Sequence, residues 1–169
     1  MDKRTKKLVH SHKNDEYGTP DEMFANLDEF YGFSLDPCAT SENAKCSLYC
    51  TKNGTNGLEF PWEGHEVFVN PPYSQLKKWV EKSIDEVVNK RCYRVLMLTP
   101  ARTDTKAFKK VFEHAKHICF ISGRIKFVVD GVQMKTGAPF PSCLVSFSQL
   151  AEEELQKERE FLKRFGFVR

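Results

Sequence analysis

An asparagine, two prolines and a tyrosine, Asn70-Pro71-Pro72-Tyr73, stand directly after the apolar run Val67-Phe68-Val69 and just ahead of an amphipathic segment. Such a run reads as a buried strand, so the tetrapeptide falls at the carboxyl edge of a sheet, where open α/β sheets bind ligands. These residue types suit attack by a planar exocyclic amine. The Asn70 side-chain oxygen and the Pro71 carbonyl can each accept an N–H from the amine, which draws its lone pair out of conjugation. Pro72 stiffens the turn, and the Tyr73 ring can stack on the flat group behind the amine. Such a transfer needs placement and acceptors, with no general base. The plainer alternative is a tight strand-to-helix turn in which proline only ends the ladder.

The elements that must position this turn follow from periodicity. Thr19-Pro20-Asp21-Glu22 carries the pattern of a helix start, with Thr19 as cap and Pro20 in the first turn. Phe24, Leu27 and Phe30/Tyr31 then recur at helical spacing until Gly32. A short strand at 33–35 and another at 48–50 precede the 66–69 strand. After the tetrapeptide, Leu76, Trp79, Val80, Ser83, Ile84, Val87 and Val88 form one helical stripe. Arg94–Thr99 reads as a central parallel strand, followed by a helix over 104–115. Strands are expected at 117–121, 124–129 and 142–147, with a hairpin-like excursion over 130–141 and a closing helix over 150–165. The alternation predicts a three-layer Rossmann-like α/β fold whose sheet is mostly parallel with an antiparallel edge strand.

Composition sets bounds. At 169 residues, 40% hydrophobic and 29% charged, residues 15–169 are expected to form a single domain. No apolar stretch approaches a membrane span and no signal segment opens the chain, so a soluble, cytoplasmic protein is expected. The net charge of +3 is unevenly spread. Residues 1–14 hold five bases against one acid, a balance of +4 that leaves −1 for the remainder. This arm is expected to be disordered and suited to phosphates, and any nucleic-acid surface on the body must be a local patch. The six cysteines lie mostly in or beside apolar runs and are expected to be reduced and buried, and no His or Cys spacing implies a metal.

Three further motifs accompany the tetrapeptide. Asp36-Pro37-Cys38-Ala39 closes the 33–35 strand with small residues that let a ligand approach the backbone, although a type I turn has the same pattern. Tyr17-Gly18-Thr19-Pro20 and Asn56-Gly57-Leu58 also have plain readings, as a helix entrance and a loop tip. Taken in order, these motifs resemble the phage-type DNA N6-adenine methyltransferases, relatives of the bacterial Dam methylases. The resemblance covers residues 15 to about 148. It extends through Leu-Thr-Pro-Ala-Arg-Thr-Asp-Thr (98–105), Gly-Arg-Ile-Lys-Phe (123–127) and Gly-Ala-Pro-Phe-Pro-Ser (137–142).

That resemblance implies a cofactor, S-adenosylmethionine, and roles position by position. Tyr17 lies at the entrance, and the Thr19-Pro20 helix start would meet the methionine carboxylate. Asp36 would take the ammonium, while Pro37, Cys38 and Ala39 leave room for the cofactor. Asn56, Gly57 and Leu58 would flank its adenine ring. Asn70 to Tyr73 would hold a flipped target adenine. In place of a glycine-rich turn after the first strand stands Asp-Pro-Cys-Ala-Thr, and the ribose-binding carboxylate has only Glu42 and Asn43 as candidates. Lys77, Lys78, Arg102, Lys106, Arg124 and Lys126 are candidate contacts to DNA phosphates.

The implied reaction is direct transfer to adenine N6 in DNA. A glutamine side chain of a protein or a guanine amine in RNA would suit the same turn, as would a non-catalytic nucleic-acid-binding shell. Nothing larger than a loop (51–64, 100–107 or 130–141) is available to read a target, so a short or relaxed recognition sequence is expected. A monomer is the favoured state, and a solitary enzyme of this kind would protect viral DNA from host nucleases.

Overall fold

The computed structural model describes residues 17–51 and 54–169; the basic arm over 1–14 lies outside the described residues. Helix α1 (Asp21–Tyr31) buries Phe24, Leu27 and Tyr31 and ends at Gly32. That glycine is left-handed (φ 62°), and its N–H donates to the Asp28 carbonyl at 2.8 Å. The expected Thr19 cap does not form. Pro20 occupies the cap position without a side-chain bond, so Thr19 stands one residue too early, and its hydroxyl is taken by another partner described below.

The strands are β1 (Leu35–Asp36), β2 (Leu48–Tyr49), β3 (Glu66–Val69), β4 (Arg94–Pro100) and β5 (His117–Ile121). After them come β6 (Val128–Val129), β7 (Val132–Gln133), β8 (Ser142–Ser148) and β9 (Gly166–Val168). Among the described residues seven of them form one sheet in the order β2-β1-β3-β4-β8-β5-β9. β1 to β5 run one way; β8 and β9 run the other. Side chains alternate across this sheet. Val67, Val69, Val95, Met97 and Val145 meet helices α2 (Leu76–Val88) and α3 (Lys106–His114). Phe68, Leu96, Leu98 and Leu144 meet α1 and α4 (Glu152–Leu162) on the other face. The sheet is thus covered on both sides, as the apolar run of β4 demands.

Several local expectations change. The antiparallel strand β8 is internal, bonded to β4 on one side and β5 on the other, and all seven of its residues are buried. The antiparallel edge is β9, which lies where the closing helix was expected to finish. α4 stops at Leu162, and Gly166 allows the new strand in: a Cβ there would fall 2.0 Å from the Phe120 carbonyl oxygen. Only Val128–Val129 of the expected 124–129 strand is extended. It pairs with β7 in a separate hairpin whose turn residues Asp130 and Gly131 both have positive φ (51° and 74°). On α2, Val88 leaves the stripe and is 60% exposed. Glu86, expected outside it, is buried and paired with Lys82 at 2.5 Å and Arg91 at 2.9 Å.

All six cysteines are free thiols, five buried and Cys38 half-buried. Burial pushes Cys46 and Cys92 up to about 12, away from thiolate chemistry. None of the described helices is long and apolar enough to cross a membrane.

Candidate active site

β1 and β3 are adjacent and parallel, with Leu35 opposite Val67, so their carboxyl ends bring the 36–39 turn beside the 70–73 turn. Between them opens a cavity of about 410 Å³, within the range of small-ligand sites. Tyr17 and Thr19 form part of its wall, and Asp36 to Ala39 line it at the tip of β1. Asn56, Gly57 and Leu58 close another side; Asn70, Pro72 and Lys78 complete the rim. Segments separated by some fifty residues in sequence therefore converge on one space.

Asn70 is fixed in orientation. Its Nδ2 donates to the Tyr17 carbonyl at 2.6 Å and to Thr19 Oγ1 at 3.0 Å. A carbonyl only accepts, so the amide nitrogen must face Tyr17, and Oδ1, on the other branch of the planar amide, points away from it. This is the use to which the Thr19 hydroxyl is put in place of capping α1. The backbone N–H of Asn70 meets the Cys38 sulfur, which joins the two turns directly.

Asp36 is 4% exposed, and its Oδ2 accepts the Lys45 backbone N–H at 3.2 Å. Burial pushes its carboxyl up from 3.8 to about 6, against the lowering effect of the Lys45 and Cys38 backbone donors. A buried carboxylate with so little compensation is poised for a cation. The first turn of α1 carries Asp21 and Glu22, which oppose an anion there. Lys45, whose ammonium is paired with Asp21, lines the cavity as a second cation beside Lys78. Nothing in the sequence marked Lys45, because its place depends on the irregular loop that follows Asp36.

The 56–58 loop is shaped by its own side chains. Asn56 Oδ1 accepts the Leu58 N–H at 3.1 Å and its Nδ2 donates to Glu59 at 2.9 Å, so its side chain builds the turn. Trp62, fully buried, donates its indole N–H to the Gly57 carbonyl at 3.0 Å. A Cβ on Gly57 would fall 1.7 Å from the Pro37 carbonyl oxygen, a backbone clash that no rotamer relieves. Gly57→Ala should therefore push the loop off the 36–39 turn and cost about 1–3 kcal/mol of stability. Urea unfolding measures this; an unchanged midpoint would mean the two turns do not touch.

Pro20, Pro71 and Tyr73 do not line the cavity. Pro20 and Pro71 are buried. Tyr73 belongs to an aromatic group beside the cavity: its ring stacks on Tyr17 at 5.6 Å and 15°, and Phe140 stands at 88° to it. Burial holds its phenol above the ordinary value of 10, so it is neutral. Of the candidate DNA contacts, all six are exposed and Lys78 alone reaches the cavity. Arg102 lies close enough to act electrostatically on Tyr73. Arg124 and Lys126 lie on the irregular segment just ahead of the β6–β7 hairpin, which is bonded to the site through reciprocal Gly18–Val128 bonds of 2.8 Å.

Glu42 is exposed and outside the cavity, whereas Asn43 lines it with its Oδ1 occupied by the Thr40 N–H at 2.6 Å. Past the carboxyl end of β2 the lining residues are Cys50 and Thr51, a thiol and a hydroxyl where a carboxylate was sought. Gln75 and Trp79 were also missed as lining residues, Trp79 because its helical spacing marks it equally as core. Among the described residues no group of three His, Cys, Asp or Glu could hold a metal.

Comparison with known proteins bears on this geometry. A family model described as DNA N-6-adenine-methyltransferase (Dam) matches residues 6–166, which include every cavity residue named above. The DNA N-6-adenine-methyltransferase of Escherichia phage T1 is 32% identical over 119 residues, 69% of this chain and 49% of that protein. The DNA N-6-adenine-methyltransferase of Haemophilus phage HP1 is 32% identical over 129 residues, 73% of this chain and 72% of that one. The chain thus spans about half the length of the first relative and nearly three quarters of the second. With the motif order, the convergent cavity and a match over most of its length, the chain belongs to the DNA N-6-adenine-methyltransferase (Dam) family.

Proposed function

We propose that this chain transfers a methyl group from S-adenosylmethionine to N6 of an adenine flipped out of DNA. The single observation that carries the reading is the Asn70 amide, locked by Tyr17 and Thr19 at the rim of a cavity that also holds the tip of β1. The strand order, with parallel strands at one side and the reversed β8 inserted next to β5, supports a Rossmann-like cofactor-binding layering. Residues 15–169 are then one catalytic domain, the basic arm over 1–14 a phosphate-binding extension, and a monomer acting on cytoplasmic DNA the working state.

The cavity residues fit the cofactor. Buried Asp36 awaits a cation and would take the ammonium; Lys45 offers a partner for the carboxylate. Leu58 supplies an apolar wall and Thr51 a hydroxyl toward the ribose. Trp79 adds an indole N–H that has no partner among the described residues. When bound, S-adenosylmethionine supplies an electrophilic methyl on a sulfonium. Asn70 Oδ1 and the Pro71 carbonyl accept the two N6 hydrogens, which localises the lone pair on nitrogen, and Tyr73 supports the ring. Neither acceptor is a base, so the surplus proton passes to solvent after transfer. Arg102, Lys106, Arg124, Lys126, Lys77 and Lys78 hold the backbone.

Sequencing DNA from expressing cells for N6-methyladenine tests the reading and maps the site at once. Methylation at a short or relaxed sequence is expected. Absence of methyladenine with folded, cofactor-binding protein overturns the activity, and a target of six or more defined base pairs overturns the specificity.

The Asp36 carboxyl makes the cofactor step pH-dependent. Because burial raises its pKa to about 6, the ionised form costs stability above that pH. The cost is relieved as pH falls through 6 towards 3.8. Ammonium binding needs the ionised form, so affinity should move the other way and fall roughly tenfold between pH 8 and pH 5. Calorimetry of S-adenosylmethionine binding at the two pH values checks this, with Asp36→Asn expected to bind weakly and without pH dependence. An equal dependence in the variant would place the titrating group elsewhere.

A further inference from the structure

The aromatic group beside Asn70 has a geometry that packing alone does not require. Tyr17 and Tyr73 are near parallel at 15° with centroids 5.6 Å apart, and both are only half-buried. Phe140 stands perpendicular to both, at 86° and 88°, and closes one side like the spine of a book. It lies between Pro139 and Pro141, which restrict the backbone that carries it. Tyr17 also lines the cofactor cavity, and its carbonyl is what orients Asn70, at 2.6 Å. One residue thus joins the cavity, the amide that would accept the amine and an aromatic face opposed to that of Tyr73.

We propose that Tyr17 and Tyr73 form a clamp, in which the flipped adenine is held between the two rings with its edge against Phe140. This rests on the proposed function and extends it, since the resemblance assigns Tyr17 to the cofactor alone. Stacked carbon atoms sit about 3.5 Å apart, so a base between two rings needs about 7 Å. The clamp therefore opens by at least about 1.4 Å from its present spacing. Tyr17 is pinned through Gly18 to Val128, at the start of the hairpin that directly follows the segment carrying Arg124 and Lys126. DNA-backbone contacts on the segment before the hairpin and widening of the clamp thus act on one connected piece of chain. Because the Tyr17 carbonyl also holds Asn70, a base between the rings is set in register with the acceptor of its amine.

The opposite role is a plug: Tyr17 would cover the face of Tyr73 and leave when a base arrives. The two predict effects of opposite sign. With S-adenosylhomocysteine bound, the test measures the affinity for duplex DNA carrying 2-aminopurine at the methylated position. Tyr17→Ala should weaken binding about 5- to 150-fold, the range for losing one base–aromatic stack. Tyr17→Leu, which keeps apolar bulk without a flat ring, should be nearly as weak, and Tyr17→Phe should bind like wild type. Rescue by leucine would reveal a structural role and overturn the clamp, as would unchanged or tighter binding by the alanine variant. A wild-type protein that neither methylates DNA nor binds the probe overturns the proposed function as well. A wild-type protein that does both, beside equally tight Ala and Leu variants, overturns the clamp alone.

Discussion

Replacing Asn70 by alanine should lower turnover roughly 30- to 1,000-fold, about 2–4 kcal/mol of transition-state stabilisation, with little change in the affinity for S-adenosylmethionine. The asymmetry follows from what the side chain touches. Its nitrogen is held by Tyr17 and Thr19, so in the proposed reaction its oxygen would face the substrate amine, and its help would grow as that nitrogen loses conjugation and its hydrogens become more acidic. In the proposed function the cofactor would be held by Asp36, Lys45 and the 56–58 loop, and no side-chain bond joins any of these to the Asn70 amide. Single-turnover rates alongside calorimetric cofactor binding separate the two quantities. Wild-type turnover in the variant would remove Asn70 from the mechanism, and a loss confined to cofactor affinity would move it to the other ligand.

The largest stability effect is expected far from the chemistry. Glu158 of α4 is fully buried, and its carboxylate accepts from Ser146 Oγ at 2.9 Å and meets His117 Nδ1 at 2.8 Å. Arg94, stacked over Tyr31 at 4.3 Å, approaches it to 3.8 Å and also binds Glu66 at 3.0 Å. Glu158→Ala strands these groups in an apolar layer and should cost about 3–5 kcal/mol of folding free energy. For a chain of this size each kcal/mol lowers the melting temperature by about 2–4 °C. Glu158→Gln, which keeps the shape and some of the hydrogen bonds, should cost less. Arg94 and His117 begin their strands, whereas the cavity lies past strand ends, so the residual folded protein should keep its specific activity. Chemical denaturation with an activity assay normalised to folded protein checks both statements. A loss below 1 kcal/mol would show that the cluster is solvated.

The strong elements were legible for simple reasons. β4 and α2 carry unbroken patterns, one apolar throughout and one with a helical stripe, and each formed close to its expected bounds. The tetrapeptide and the 36–39 turn were readable because proline and small residues after an apolar run leave little but a sheet edge. The misplaced elements share the opposite trait. β8 reads as an ordinary strand, and nothing in its own residues says that it slips between β4 and β5. β9 is three residues long and exists only because Gly166 can approach Phe120. Thr19 carries a cap pattern whose hydroxyl is drawn to Asn70 by a bond spanning fifty-one positions.

Local chemistry is carried by residue type, and so the amide, the rigid prolines, the acid at the first strand tip and the basic arm could be named without coordinates. Orientation is not carried that way. Which way the Asn70 amide faces, that Asp36 is starved of solvent, that Lys45 and Thr51 enter the cavity, and that Tyr17 lies parallel to Tyr73 were all decided by chain segments brought together only in the tertiary fold. Burial and hydrogen-bond partners arise between residues far apart in sequence, and no local pattern encodes them.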